Sequence, residues 1–316
     1  MERHVPVPWS SIDDPRSAVF NLPGGYRDVA GRLHREVALA PLTGREEELL
    51  AARASGTPLA VLVTCALMAC LRRVGPYRPV TGDIVRGLLA ADRAYLLLKL
   101  RQLTFGDRIA AVLLCPVCGQ RMDVDFFADQ VPIEARRPAA GTATFDLSPS
   151  AAYTAPDGTI HQTVEFRLPT GEDQEIIALA HPAISEQQAV TVLLARCLRR
   201  LGAITPVDEQ TAAHLGPITR REIEEQMERV SPSVDLDLEV TCPECGRAFL
   251  QPLEWSAAFR DEMSLQREQL YLEVHILALH YHWPESEILS LTRDKRRTYL
   301  TLLSGERGRD AALEGK

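Results

Sequence analysis

A single register shift organises this chain. Moving it by 127 residues lays Cys115-Pro116-Val117-Cys118-Gly119 on Cys242-Pro243-Glu244-Cys245-Gly246. The same shift carries Cys70-Leu71-Arg72-Arg73-Val74-Gly75 onto Cys197-Leu198-Arg199-Arg200-Leu201-Gly202, and Thr43-Gly44 onto Thr170-Gly171. Glu48 and Glu175, Gly31 and Gly158, His34 and His161, and Val37 and Val164 are further pairs in that register. A shift that holds without slippage over such a distance marks a duplicated unit, here as one pair rather than an array. It limits the fold to two similar halves, each ending in a C-P-x-C-G turn, facing each other across a pseudo-twofold axis.

Those turns carry the chemistry. A C-P-x-C-G turn between two strands is a knuckle of the zinc-ribbon type: both sulfurs can point at one ion, and glycine permits positive φ after the second cysteine. One knuckle supplies two thiolates and a closed zinc site needs four ligands, so Cys115, Cys118, Cys242 and Cys245 are expected to hold one structural Zn2+ per chain. Four thiolates leave no open coordination position, which argues against catalysis at the metal. The spacing is unusual, since 123 residues separate Cys118 from Cys242 where a ribbon ordinarily uses about 15–20. Duplication accounts for it. The competing readings are two separate redox pairs or half-sites shared with a partner. No thioredoxin-like helix start follows either turn, which weighs against redox.

Further pattern gives the expected order of elements. Residues 1–25 contain Pro6, Pro8, Pro15 and Pro23 and read as an extended arm. The first unit is expected over 26–130, a linker rich in Pro, Ala and Arg over 131–147, and the second unit over 148–257. Each unit opens with a hairpin: Arg32 to Leu39 and Thr159 to Phe166 alternate, and Asp157-Gly158 is a turn dipeptide. Thr43-Gly44 and Thr170-Gly171, followed by acids, are helix starts. A second helix is predicted from Pro58 to Arg73, ending at Gly75, with its copy from Ser185 to Arg200, ending at Gly202. Short helices are predicted at Gly82–Leu89, Ala91–Leu103, Asp208–His214 and Thr219–Arg229. Strands then lead into and out of each knuckle. A C-terminal helical subdomain follows over 258–304, broken at His282-Trp283-Pro284, with a tail over 305–316. The fold class is therefore α+β.

Other candidate residues read as structural. Cys65, Cys70 and Cys197 lie in apolar runs and are expected to pack. His34 and His161 are expected to make a shared structural hydrogen bond. His275, His280 and His282 cluster near a helix end without a spaced carboxylate or cysteine to complete a metal site. Arg72-Arg73, Arg199-Arg200 and Lys295-Arg296-Arg297 read as solvated helix faces. No phosphate loop, H-E-x-x-H or G-x-S-x-G occurs, and nothing points to an enzyme. The net charge of −8 and an aromatic content of 6% argue against a nucleic-acid surface, although zinc-ribbon proteins often have one. The N-terminus lacks the apolar stretch of a signal peptide and no run spans a bilayer, so cytoplasmic synthesis without membrane partners is expected.

The chain resembles the phage-type baseplate hub and hub-assembly proteins, including relatives in bacterial contractile injection clusters. The resemblance rests on Leu42-Thr43-Gly44-Arg45-Glu46-Glu47-Glu48, Leu103-Thr104-Phe105-Gly106-Asp107-Arg108, both knuckles, and Leu279 to Leu289. It implies a non-enzymatic component or assembly factor of a contractile phage-tail-like baseplate, with baseplate, tube or spike proteins as partners. The alternatives are a nucleic-acid-binding zinc ribbon and a chaperone that loads cargo or spike proteins in a groove of the C-terminal helices. Leu270, Tyr271, Leu277, Tyr281, Trp283, Ile288, Leu289, Tyr299 and Leu303 make those helices the expected partner surface, the alternative being that they cap the second unit and bury those residues against their own chain.

Overall fold

The computed structural model describes residues 16–136, 141–180, 183–234, 237–252 and 255–314. Most of the proline-rich arm lies outside them. The first half opens with the hairpin β1 (Ala18–Arg27) and β2 (Leu33–Leu39), so β1 already takes in residues assigned to the arm. Then come α1 (Gly44–Arg53), α2 (Leu59–Cys70), β3 (Leu71–Val74), α3 (Gly82–Gly87), α4 (Ala90–Phe105) and the ribbon β4 (Arg108–Leu114) and β5 (Arg121–Phe127). Within the expected linker lie β6 (Ile133–Glu134) and β7 (Thr142–Asp146). The second half continues with β8 (Tyr153–Thr154), β9 (Ile160–His161), β10 (Thr163–Arg167), α5 (Gly171–Ala180), α6 (Glu186–Cys197) and β11 (Leu198–Leu201). It closes with α7 (Glu209–Ala213), α8 (Pro217–Val230), β12 (Ser233–Val234), β13 (Asp237–Thr241) and β14 (Ala248–Pro252). Three C-terminal helices follow: α9 (Trp255–Tyr281), α10 (Glu285–Leu289) and α11 (Arg293–Glu314), the last running through residues expected as a tail.

Many elements keep the 127-residue shift. α1 and α5, α2 and α6, and β3 and β11 have bounds 127 residues apart at both ends. So does the pairing of the third strand: Val37 opposes Val74 and Val164 opposes Leu201, with the same one-residue irregularity in each. Helix starts match as well. The Glu46 carboxylate accepts the Thr43 amide at 2.7 Å, and Asp173 accepts the Thr170 amide at 2.9 Å, satisfying a donor at each N-terminus.

The sequence placed the second helix of each half three residues too long. Both helices stop at the cysteine, Cys70 and Cys197, and Leu71–Val74 and Leu198–Leu201 become strands. The cause is the open edge of the hairpin. β2 and β10 have backbone groups to satisfy, and the buried outer residues of Leu-Arg-Arg-Val and Leu-Arg-Arg-Leu fit that edge. The paired arginines are therefore on strands, not solvated helix ends. Arg73 meets Glu36 on the neighbouring strand, and Arg200 meets Glu165 at 3.4 Å. Gly75 and Gly202 (φ 51° and 57°) are turn residues after these strands rather than helix caps. A Cβ at Gly75 would stand 2.7 Å from the His34 ring, and one at Gly202 would overlap His161, so each histidine packs where its glycine leaves room.

Each half has its own core. The first gathers Leu22, Val37, Leu62, Leu67 and Leu96, joined by Phe259 and Met263 from α9; the second gathers Val164, Phe166, Leu194, Leu201 and Ile223. The C-terminal helices are thus part of the first half, which corrects their reading as a partner surface. Leu270, Leu277, Ile288 and Leu289 are buried, while Tyr281, Trp283, Tyr299 and Leu303 pack against that cluster. Tyr271 is the most exposed of these aromatics and donates its hydroxyl to Glu48 at 2.7 Å. Arg296, expected on a solvated face, is 1% exposed and bonds Glu273 at 2.9 Å and Glu47 at 3.0 Å.

A candidate metal centre shared by two knuckles

β4 pairs with β5 from Arg108↔Phe127 to Leu114↔Arg121, and β13 with β14 from Asp237↔Pro252 to Thr241↔Ala248. Each hairpin ends in a knuckle built by the same two bonds. Cys115 N–H donates to the Gln120 carbonyl and Gly119 N–H to the Cys115 carbonyl, both at 2.9 Å. Cys242 and Gly246 repeat them with the Arg247 and Cys242 carbonyls, again at 2.9 Å. Gly119 and Gly246 lie at φ 72° and 68°, as a turn folding back under its own cysteine requires.

The two knuckles meet. All four sulfurs of Cys115, Cys118, Cys242 and Cys245 lie within 4.8 Å of one another. Two short approaches cross between the knuckles: Cys115 Sγ to Cys245 Sγ at 3.7 Å and Cys118 Sγ to Cys242 Sγ at 3.6 Å. A tetrahedral ion bonded to sulfur at about 2.3 Å needs its ligands about 3.8 Å apart, so the cage fits such an ion. The separation is far beyond a disulfide bond of roughly 2.05 Å. First cysteines Cys115 and Cys242 are buried, second cysteines Cys118 and Cys245 are exposed, and Leu113, Met122 and Val240 pack beneath.

Thiol electrostatics favour a shared negative charge. Amide donors from Cys118 and Val117 bring the Cys115 thiol down to about 6. At Cys118 the Gln120 amide also acts downward, but the Cys115 sulfur, burial and the Cys242 sulfur outweigh it and push the group up to about 12. Without an ion the four sulfurs cannot all ionise together. A bound divalent cation removes that conflict, because it favours the thiolate at every ligand.

Among the described residues, no other group of three or more His, Cys, Asp or Glu side chains has ligand spacing. His275, His280 and His282 form no such group. Cys70 and Cys197 are buried in the two cores, and burial pushes the Cys197 thiol up to about 12. His34 and His161 sit at equivalent strand positions, but only His34 has a carboxylate partner, Asp28 at 3.0 Å.

Three buried polar clusters escaped the sequence reading. Asp92 accepts the consecutive amides of Gly24 and Gly25, each at 2.8 Å. Asp173 gathers Arg196 at 2.6 Å and Arg167 at 2.8 Å on its first oxygen, besides capping α5. Arg296 joins Glu47 and Glu273 across three helices. Asp92 and Gly24 lie 68 residues apart and Arg296 and Glu47 lie 249 apart, so spacing carried no signal there, whereas Asp173 lies only six residues from Arg167.

These features define a mixed α+β protein whose halves meet at a four-cysteine cluster. Its residues 18–252 match the model of the T4 bacteriophage base plate protein family, and the chain belongs to that family. Compared with curated proteins and with solved structures, the chain matches none. No helix among the described residues is long and apolar enough to cross a membrane.

Proposed function

We propose that the chain is a non-enzymatic, zinc-stabilised component or assembly factor of a contractile phage-tail-like baseplate. The observation that carries this is the family match across 18–252, a span that includes both knuckles. Zinc bound by Cys115, Cys118, Cys242 and Cys245 would supply a cross-link between segments more than 120 residues apart. The protein supplies the cage: two turns aimed at one point, and an apolar floor of Leu113, Met122 and Val240. Two duplicated units, 26–130 and 148–257, account for the paired element bounds, with the C-terminal helices as an addition to the first. The chaperone alternative is the weaker reading, because Leu270, Leu277, Ile288 and Leu289 of the supposed groove are buried within this chain. Baseplate proteins are the partners this reading names, and the tail-like particle is where the chain belongs.

Mass spectrometry of purified contractile particles, and of their assembly intermediates, tests the role. Recovery of the chain in either is expected; absence from both overturns it. Elemental analysis of protein purified without chelators tests the ion, with one zinc per chain expected and none or two fatal to the shared site.

A further inference from the structure

Two helices of this chain begin Thr-Gly, and both are docked in one manner. Thr170-Gly171, opening α5, sits on the corner between α3 and α4. Gly171 N–H donates to the Leu88 carbonyl at 2.9 Å, and Ala90 N–H donates to the Pro169 carbonyl at 3.0 Å. One turn on, Glu175 accepts from Thr64 of α2 and from Arg86 at 2.9 Å. The Arg93 guanidinium lies against Gly171 so closely that a Cβ there would overlap it.

Thr43-Gly44, opening α1, sits the same way on the corner between α10 and α11. Gly44 N–H donates to the Leu291 carbonyl at 3.1 Å, and Glu48, one turn on, accepts from Tyr271 of α9. Arg296 stands 3.1 Å from where a Gly44 Cβ would be. Leu291 and Arg296 follow Leu88 and Arg93 by the same 203 residues, as the starts of α10 and α11 follow those of α3 and α4. So α9–α11 stand to α1 as α2–α4 stand to α5.

Such a contact is head-to-tail, and it leaves an unused face at one end of the series. That face is α6–α8. It keeps the same parts under the 127-residue shift. Arg220 follows Leu215 by five residues and donates to its carbonyl at 3.1 Å, as Arg296 does to Leu291 at 2.9 Å. Thr191 stands where Thr64 stands and likewise donates to the carbonyl four residues back. Yet among the described residues nothing bridges Gly216 as Thr170 bridges Leu89. Arg93 and Arg296 are each 1% exposed, whereas Arg220 is only half-buried and Ile218, at the position of Ala91, is 57% exposed.

We propose that α6–α8 is a docking face for a helix start of the α1 and α5 kind, supplied by a different polypeptide. The occupant opens with Thr-Gly, carries acids in its first turn for Arg220, and is apolar just before the Thr. Both helices of this kind in the chain are already docked, and releasing α1 would take Glu47 away from the buried Arg296. That makes a second copy the poorer occupant. Pro217 replaces Ala90 and has no N–H, so the return bond is missing and the docking is looser than that of α5. The proposal rests on the reading of two equivalent halves.

The test uses the full chain and a stapled, fluorescein-labelled peptide with the sequence of residues 41–53, followed by anisotropy. Saturable binding is expected, weakened about tenfold or more by Ile218→Asp and by Thr191→Arg. Both positions are at least partly exposed, and unchanged thermal melts verify that the variants fold. A peptide with Val for its Gly should not bind. The proposal is overturned by absence of saturable binding, or by equal binding to the variants, which would mean entry at the α10–α11 corner. It is also overturned if the unliganded chain dimerises and Ile218→Asp abolishes the dimer, because the occupant is then a second copy. Loss of peptide binding in a chain that still carries one zinc and still appears in particles would sink the docking face alone.

Discussion

The two halves share a backbone plan and differ in what surrounds it. At the hairpin tip of the first half, Asp28 binds the Ala30 and Arg32 amides, the Arg32 guanidinium, His34 and Tyr77. Under the 127-residue shift the second half has Ala155 for Asp28 and Ile204 for Tyr77, leaving His161 stacked on Tyr153 without a carboxylate. Asp92, which accepts the Gly24 amide, becomes Thr219, which donates instead to the Ala151 carbonyl at 2.8 Å. Backbone geometry thus survives an exchange of donor for acceptor, provided the buried group opposite is still satisfied. The helices teach the complementary lesson. α1 packs under α9 while α6 is left half-covered, and Arg93 and Arg296, each 1% exposed, lie where a Thr-Gly helix start is docked.

The largest test of that comparison is the four-cysteine cluster, the proposed zinc site. It belongs to both halves, so damage there should not respect the boundary between them. Cys242→Ser is expected to abolish stoichiometric zinc and to forfeit much of an apparent binding energy on the order of 10 kcal/mol. Hydrogen exchange should rise in β4–β5 as well as in β13–β14. Faster exchange confined to the second ribbon would mean that the knuckles act separately.

Arg296→Ala should do the opposite and single out the first half. It leaves Glu47 and Glu273 buried and without their shared cation, and breaking a buried pair in this way costs about 3–5 kcal/mol. Denaturant unfolding followed with hydrogen exchange should find α1 and α9 released first and the second-half core retained. A uniform loss across both halves would deny that α9–α11 belong specifically to the first.

The sequence made the four-cysteine cluster legible because its geometry is local: two tight turns, each readable in five residues. Helix starts were legible for the same reason. The strand assignment of Leu71–Val74 was not, because its cause is a hairpin edge elsewhere in the chain, and an apolar run ending in arginines satisfies helix and strand alike. A symmetric dyad was also expected from the matching knuckles. The crossed sulfur pairs, Cys115–Cys245 and Cys118–Cys242, exchange as a twofold would require. The helices do not: α5 packs on α2 and α3, whereas α1 packs on α9 rather than on α6. Symmetry in one motif says nothing about bodies joined to it by different neighbours.

Opposite pH responses sharpen the contrast further. Burial raises Asp92 in the first half to about 6 from an unfolded value of 3.8, against the amides that hold it. Its ionisation therefore opposes folding: stability is full below about 3.8 and is lost as pH rises toward 6. Asp173 in the second half is buried too, but Arg167, the Thr170 amide and Arg196 outweigh that burial and hold it well below 3.8. Its contribution is full above that value and is lost as pH falls below it. Asp92→Asn should flatten the stability profile between about pH 4 and 6, and Asp173→Asn should flatten only the acid limb. Matching slopes in the two variants would contradict the environments assigned to them.

The smallest effect isolates the hairpin tips. Tyr77→Phe removes the hydroxyl that donates to Asp28 at 2.9 Å, leaving that carboxylate with His34, Arg32 and two amides. A group with several remaining donors loses little when one is withdrawn, so the melting temperature should fall by no more than a few degrees. The reciprocal change, Ile204→Tyr, brings a hydroxyl to a tip where Ala155 offers no carboxylate, and should destabilise by burying an unmatched donor. Combining it with Ala155→Asp supplies the acceptor. If the halves share their backbone at this point, the double variant Ala155→Asp/Ile204→Tyr should recover most of what Ile204→Tyr alone loses. A thermodynamic cycle with no coupling between the two positions would mean that the tips differ in backbone as well as in side chains. The paired register of His34 and His161 would then be a coincidence of sequence rather than of structure.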